Sequence, residues 1–217
     1  RGAKAALVLK NPLVKGLTLT GSEKAGSEMA ALAGSLIKPS LLELGGSNAM
    51  IITEDANIEQ AVEQAVKGRF QNNGQSCIAV KRLIVDERRY GEVKEKLEAK
   101  LKSMSTGDPL EDPDLGPMAR EDLAIELEEQ CIRSLEQGAR AMFPIKREAS
   151  LFFPNVLMDC SPGMKAWDEE LFGPVLALCR FNSFDEAIAL SNHNRFGLGV
   201  SIMCKDPEMY LSRCGEF

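Results

Sequence analysis

The stretch Gly16-Leu17-Thr18-Leu19-Thr20-Gly21-Ser22-Glu23-Lys24-Ala25-Gly26 carries the first clear fold signal. Gly16 to Thr20 has the composition of a strand, Gly21-Ser22 offers a turn and a helix N-cap, and Ala25, Met29, Leu32, Ala33 and Leu36 recur at helical spacing. Pro39 stops that helix and Leu41 to Leu44 returns to a strand, giving a βαβ unit. The alternation continues outward. Ala49 to Thr53 reads as a strand after the tight Gly45-Gly46 turn. Asn57 caps a helix, with Gln60 as its box partner, whose face is Ile58, Ala61, Val62, Ala65, Val66 and Phe70 and whose end falls near Asn73-Gly74. Val80 to Val85 is predicted as a strand, and Tyr90, Val93, Leu97 and Leu101 mark the next helix. The turn-rich segment Thr106 to Pro117 is a loop. A helix over Glu121 to Glu136, strands at Ala139 to Phe143, Val175 to Phe181 and Val200 to Cys204, and a helix over Asp185 to Ser191 complete the pattern. Short apolar runs alternating with amphipathic stretches predict an α/β fold with a largely parallel sheet.

Bulk properties agree with a globular protein. The chain has 217 residues, 44% hydrophobic and 27% charged, with a formal net charge of −6. At ~150 residues per domain that is one large domain, or one domain plus a piece of another. The acidic balance and the lack of a basic stripe argue against nucleic acid or an anionic membrane as partner. No run approaches the ~20 apolar residues of a membrane span and no signal-peptide pattern follows Arg1, so a cytoplasmic location is expected. The start at Arg1 and the end at Gly215-Glu216-Phe217 both read as cuts. The six cysteines, Cys77, Cys131, Cys160, Cys179, Cys204 and Cys214, contain no CxxC pair and are expected to be reduced. The single histidine, His193, leaves no Cys/His or multi-His metal site, so any chemistry falls to cysteine, carboxylates or a cofactor.

Four segments could carry that chemistry, and each also has a plain structural reading. Thr20 to Gly26 is a strand-to-helix glycine turn suited to a phosphate, or simply a capped turn; it is neither GxGxxG nor a P-loop. In Leu42-Glu43-Leu44-Gly45-Gly46, a carboxylate ending an apolar strand suffers desolvation that suits a general base, or it is merely solvated or ion-paired. In Phe70-Gln71-Asn72-Asn73-Gly74-Gln75-Ser76-Cys77, a cysteine sits among polar loop residues whose amides could stabilise a thiolate, whereas most free cysteines only fill cores. In Asp168-Glu169-Glu170-Leu171-Phe172-Gly173-Pro174-Val175, a carboxylate could hold ribose hydroxyls while Phe172 flanks a flat ring, or the segment is a surface turn with an aromatic anchor.

Taken together, in this order, the four segments resemble the aldehyde dehydrogenase superfamily. The resemblance covers the whole chain, including Gly107-Asp108-Pro109, Leu115-Gly116-Pro117 and Phe196-Gly197-Leu198. Within the superfamily, the stretch from Leu17 to Gly26 and Gln71 to Cys77 look most like the succinate-semialdehyde dehydrogenase group. The resemblance implies a three-layer catalytic domain with a mostly parallel sheet at 45–217, preceded at 1–44 by the tail of a Rossmann-like NAD(P)-binding domain. It implies Cys77 as nucleophile, forming a thiohemiacetal that loses hydride to NAD or NADP and leaves a thioester, and Glu43 as the base that activates hydrolytic water. Gly21, Ser22, Gly26 and Leu44 would lie on the cofactor side, Glu170 at the nicotinamide ribose and Phe172 by the nicotinamide. The Cys77 N–H would form half an oxyanion hole. The implied partners are a small aldehyde and further copies of the full-length enzyme, as homodimer or homotetramer. Ser47 and Ala49 depart from the Lys and Pro of many relatives, at positions without a catalytic role in the family.

Two rival classes remain open on the sequence: a cofactor-free cysteine hydrolase or acyl transferase built on Cys77 and Glu43, and a non-catalytic module of the same fold. Against the family pattern, half of the cofactor site and one oxyanion donor are missing from the 217 residues. Loss of one such donor alone costs about 10²–10³ in rate, so this chain by itself is expected to be nearly inactive. Turnover of an aldehyde with NAD(P) by the isolated chain, near the rate of an intact enzyme, would refute that expectation.

Overall fold

In the computed structural model, which describes residues 2–217, the chain forms two units, Arg1–Gly45 and Gly46–Phe217. The first holds helix α1 (Gly2–Lys10), strand β1 (Leu17–Thr20), helix α2 (Glu23–Ser35) and strand β2 (Ser40–Glu43). β1 and β2 pair in parallel, with Leu17 opposite Ser40 and Thr20 opposite Glu43. Ser22 caps α2 by accepting the Ala25 N–H at 3.3 Å, as its position before the apolar period requires. Ahead of Pro39, the helix end closes with Lys38 N–H donating to Ala33 O at 2.9 Å across Ile37, which takes a left-handed φ of 54°. Leu9, Met29 and Ala33 form the small core, with Leu17, Leu19 and Leu32 packed around it.

The second unit runs β3 (Asn48–Ile52), α3 (Ile58–Phe70), β4 (Val80–Asp86), α4 (Glu87–Ser103), α5 (Glu121–Glu136), β5 (Arg140–Ala141), β6 (Arg147–Glu148), β7 (Leu151–Phe152), β8 (Asn155–Met158), α6 (Lys165–Asp168), β9 (Val175–Phe181), α7 (Phe184–Asn192), β10 (Val200–Met203) and α8 (Glu208–Leu211). Its main sheet has the order β10-β3-β4-β9-β8-β5, parallel throughout except for β5, which runs antiparallel to β8. Both faces are covered, and alternate strand residues serve opposite layers. Met50, Ile52, Leu83, Val85, Leu176 and Leu178 pack with residues of α3 and α4. Ala49, Ile51, Ile84, Ala177, Cys179 and Phe181 pack with residues of α5, α6 and α7. The architecture is the expected three-layer α/β arrangement.

Local differences from the sequence reading have physical causes. α3 stops at Phe70 rather than near Asn73-Gly74, because Asn72 and Asn73 both adopt a φ of 55° and Gln71–Gly74 closes as a 3-10 turn. Asparagine tolerates that left-handed region better than most residues. The Ala139 to Phe143 strand shrinks to β5, two residues long. β8 has no counterpart in the sequence reading: its four residues follow Pro154, which weakens a strand signal, yet it is buried and pairs Asn155 with Val175 of β9.

One consequence positions the site. Because β3, β4, β9 and β10 are parallel, the segments that lead into them all reach the same edge of the sheet: Gly46-Ser47, Gly74 to Ala79, Glu170 to Pro174 and Phe196 to Gly199.

Two substitutions test this packing with opposite signs. Ile84 has 0% exposure at the centre of β4, so Ile84→Ala should destabilise the second unit by about 2–5 kcal/mol. Gly91 lies inside α4, and a methyl group added to it would meet nothing within 4 Å, so Gly91→Ala should stabilise by about 0.5–1 kcal/mol. Urea denaturation of the two variants checks both.

Candidate active site

The Cys77 loop is built from its asparagines outward. Asn73 turns its amide toward the loop that follows α4, accepting the Gly116 N–H at 3.1 Å and donating to Pro117 O at 2.8 Å. Gln75 accepts the Ala119 N–H at 2.9 Å. The predicted turn segment thus latches the cysteine loop. Gly74 takes a φ of +70°, and a Cβ there would collide with the Gly173 carbonyl, so the two loops touch backbone to backbone. On the other side a Cβ on Gly46 would lie 2.9 Å from Cys77 O. Asn48 Nδ2 donates to Ile78 O at 3.2 Å. Cys77 itself is half-buried, and its backbone N–H has no acceptor among the described residues.

Beneath this loop sits Lys81, whose side chain has 0% exposure. Its ammonium donates to Ser76 O at 2.7 Å and Cys77 O at 2.9 Å, and pairs with Glu170 Oε1 at 2.8 Å. The same Glu170 oxygen accepts the Gly46 N–H at 3.2 Å. Lys81 also stands 6.0 Å from the centroid of the Phe172 ring. Burial pushes the Lys81 ammonium below its usual range, against which Glu170 acts. Arg69, wholly buried at the end of α3, donates to Gly74 O and to Val80 O, and burial lowers its pKa to about 9. Arg82, the next residue along β4, holds Ser47 O at 2.9 Å and Leu190 O at 3.0 Å and lies over the Trp167 ring at 5.2 Å.

Cys77, Glu170 and Phe172 are therefore brought together, with Lys81 at the centre. The other candidates fall in the first unit and form their own group. Gly21 N–H donates to Glu43 O at 3.0 Å, and a Cβ on Gly26 would lie 2.6 Å from Leu44 Cδ2, so an added methyl group would make that leucine side chain shift. Ser22 and the first N–H groups of α2 lie in the same turn. Glu43 is exposed at the end of β2, which corrects the sequence expectation: the burial on which the desolvation argument depended is absent. A carboxylate there is open to water. His193 closes α7, with its N–H bonded to Ala189 O at 2.9 Å. Among the described residues no group of His, Cys, Asp and Glu could hold a metal ion, and no helix is long and apolar enough to cross a membrane.

Sequence reasoning missed Lys81, Arg69 and Arg82. A signal was present, since Lys81 and Arg82 are adjacent in a strand of the parallel core, where successive side chains point to opposite covered faces and neither reaches solvent.

Comparison with known proteins supplies a frame for this geometry. The sequence model of the aldehyde dehydrogenase family matches residues 2–214. The chain is 41% identical over 203 residues to an NADP(+)-dependent succinate-semialdehyde dehydrogenase of Mycobacterium tuberculosis, covering 92% of this chain and 44% of that protein. It is 39% identical to an NAD(P)+-dependent succinate semialdehyde dehydrogenase of Escherichia coli, with the same coverage. Among solved structures, an NADP-dependent glyceraldehyde-3-phosphate dehydrogenase of Bacillus halodurans, complexed with NADP, superposes with a TM-score of 0.94 at 31% identity, over 100% of this chain and 45% of that one. The chain thus spans less than half the length of the curated relatives it matches.

The backbone contact between the two loops yields a prediction. Gly74→Ala should cost at least about 1 kcal/mol, from the positive φ and the Gly173 clash combined, and should loosen the cysteine loop. Denaturant titration, with proteolysis near residues 70–79, measures both effects.

Proposed function

The chain belongs to the aldehyde dehydrogenase family, and on that footing we propose that it is the cysteine-bearing part of an NAD(P)-dependent enzyme oxidising an aldehyde, succinic semialdehyde foremost, to its acid. In this reading residues 1–44 are the tail of the cofactor-binding domain and 45–217 the catalytic domain. The observation that carries it is the meeting of Cys77 and Glu170 at one edge of the sheet, bridged by a buried ammonium.

Cys77 is the nucleophile. Its thiolate adds to the aldehyde carbon, and the unpaired Cys77 N–H donates to the oxyanion that develops there. When bound, the nicotinamide of NAD(P) supplies the two-electron oxidation that turns the thiohemiacetal into a thioester. Glu43, exposed to water, takes a proton from the water molecule that attacks the thioester, releasing the acid and restoring the thiol.

The residues present fit the cofactor. The start of α2, capped by Ser22, offers first-turn N–H groups and a helix dipole that suit a pyrophosphate. Glu170 keeps 20% of its side chain exposed, with an oxygen to accept from ribose hydroxyls. Phe172 lies beside it to flank a flat ring. A homodimer or homotetramer is the expected assembly of the full-length enzyme.

The test is an NAD(P)H assay of the complete gene product with succinic semialdehyde, glutaric semialdehyde and simple aliphatic aldehydes. Reduction with succinic semialdehyde is expected; no signal with any aldehyde would refute the function. Cys77→Ser should lower kcat by at least about 10³-fold. Glu43→Gln should slow turnover by about 10²–10⁴-fold and leave acylated Cys77 detectable by mass spectrometry, since the step it serves follows acylation.

A further inference from the structure

Lys81 has no role in the mechanism above, yet it is a buried ammonium directly under the cysteine loop. An apolar side chain of similar volume would fill a buried position in β4 without desolvating an ammonium. Each of its three N–H bonds has an identified partner: Ser76 O at 2.7 Å, Cys77 O at 2.9 Å and Glu170 Oε1 at 2.8 Å. Two of those partners are carbonyls of the cysteine loop, one belonging to Cys77 itself. The third is a carboxylate, steadied from behind by the Gly46 N–H at 3.2 Å. From α3 the buried Arg69 guanidinium faces the same carboxylate, holds Gly74 O and Val80 O, and leaves its Nε without a partner. Two buried cations against one half-buried carboxylate leave an excess of positive charge directly under the loop. Arg69 and Glu170 are the charged groups facing the ammonium, which lies directly under the Cys77 loop through those two carbonyls.

We propose that Lys81 is a positioning residue for Cys77, holding the loop through its two carbonyl bonds and, with Glu170 as partial counter-charge, setting how readily the thiol gives up its proton. The ion pair then acts as a bias on the nucleophile: any event that draws Glu170 away from Lys81 leaves more positive charge facing Cys77. Its importance for catalysis rests on the function proposed above, whereas its test needs no turnover.

The experiment is iodoacetamide alkylation of the intact protein across a pH series, with Cys77 read by peptide mass spectrometry and the exposed Cys214 as internal reference. Lys81→Met removes the charge and should raise the pH midpoint of Cys77 alkylation by about one unit. Glu170→Gln keeps groups able to bond Lys81 and Gly46 but deletes the negative charge, and should lower the midpoint. A loop that had merely loosened would move both variants the same way. An unmoved Lys81→Met overturns the proposal, and so does a Glu170→Gln midpoint that stays or rises. If Lys81→Met does not fold, Glu170→Gln decides alone. Opposite shifts in a protein that fails the NAD(P)H assay would uphold this inference and sink the function, and the reverse pattern would do the opposite.

Discussion

Parallel strands share a direction, and in the second unit that constraint governs everything at the candidate site. β10, β3, β4, β9 and β8 all begin at one edge, so the loops entering them converge there although they are far apart in the chain. In open α/β sheets ligands more often gather at the carboxyl ends of strands, where crossover helices start. Here the cysteine, the glutamate that neighbours it and the glycines between them lie at the amino ends. α3 delivers Cys77 from its C-terminus rather than presenting it at an N-terminus. The helix dipole therefore places no positive charge at the thiol, and the positive charge near it lies on side chains.

That charge comes from inside the sheet. Lys81 and Arg69 are both removed from water, and their protons are spent on backbone carbonyls of the cysteine loop and its neighbours. Bonds of this kind fix a loop that has little apolar anchoring of its own, because a buried carbonyl left without a donor would cost about 1–3 kcal/mol. The glycines serve the same end. Gly46 and Gly74 allow backbone to approach backbone where any side chain would hold the loops apart.

Much of this arrangement is legible in the sequence. The strand, turn and helix at Gly16 to Leu36 carry the fold class, and the polar setting of Cys77 separates it from Cys131, Cys160 and Cys179, which are buried in the core. Glu170 stands out through its place just ahead of an apolar strand. The end of α3 is harder to read, because helical periodicity persists in composition while Asn72 and Asn73 leave the helical region in conformation. β8 escapes because a four-residue apolar run behind a proline has too little pattern to read. The exposure of Glu43 inverts the sequence reading and the buried Lys81 escapes it, for one reason: burial is set by which elements cover a position, and the pattern along a single strand does not report that.

The contact of Gly74 with Gly173 has a further consequence, in the order of folding. It joins segments separated by most of the second unit, with α4, α5 and β8 between them, and β4 reaches β9 across the same gap. Contacts of such sequence separation bear a loop-closure entropy that local helices do not, and they form late. The helices can be in place while the cysteine loop still lacks the wall that shapes it. On a growing chain, the Cys77 loop acquires that wall only after β9 has emerged and docked, when most of the unit exists.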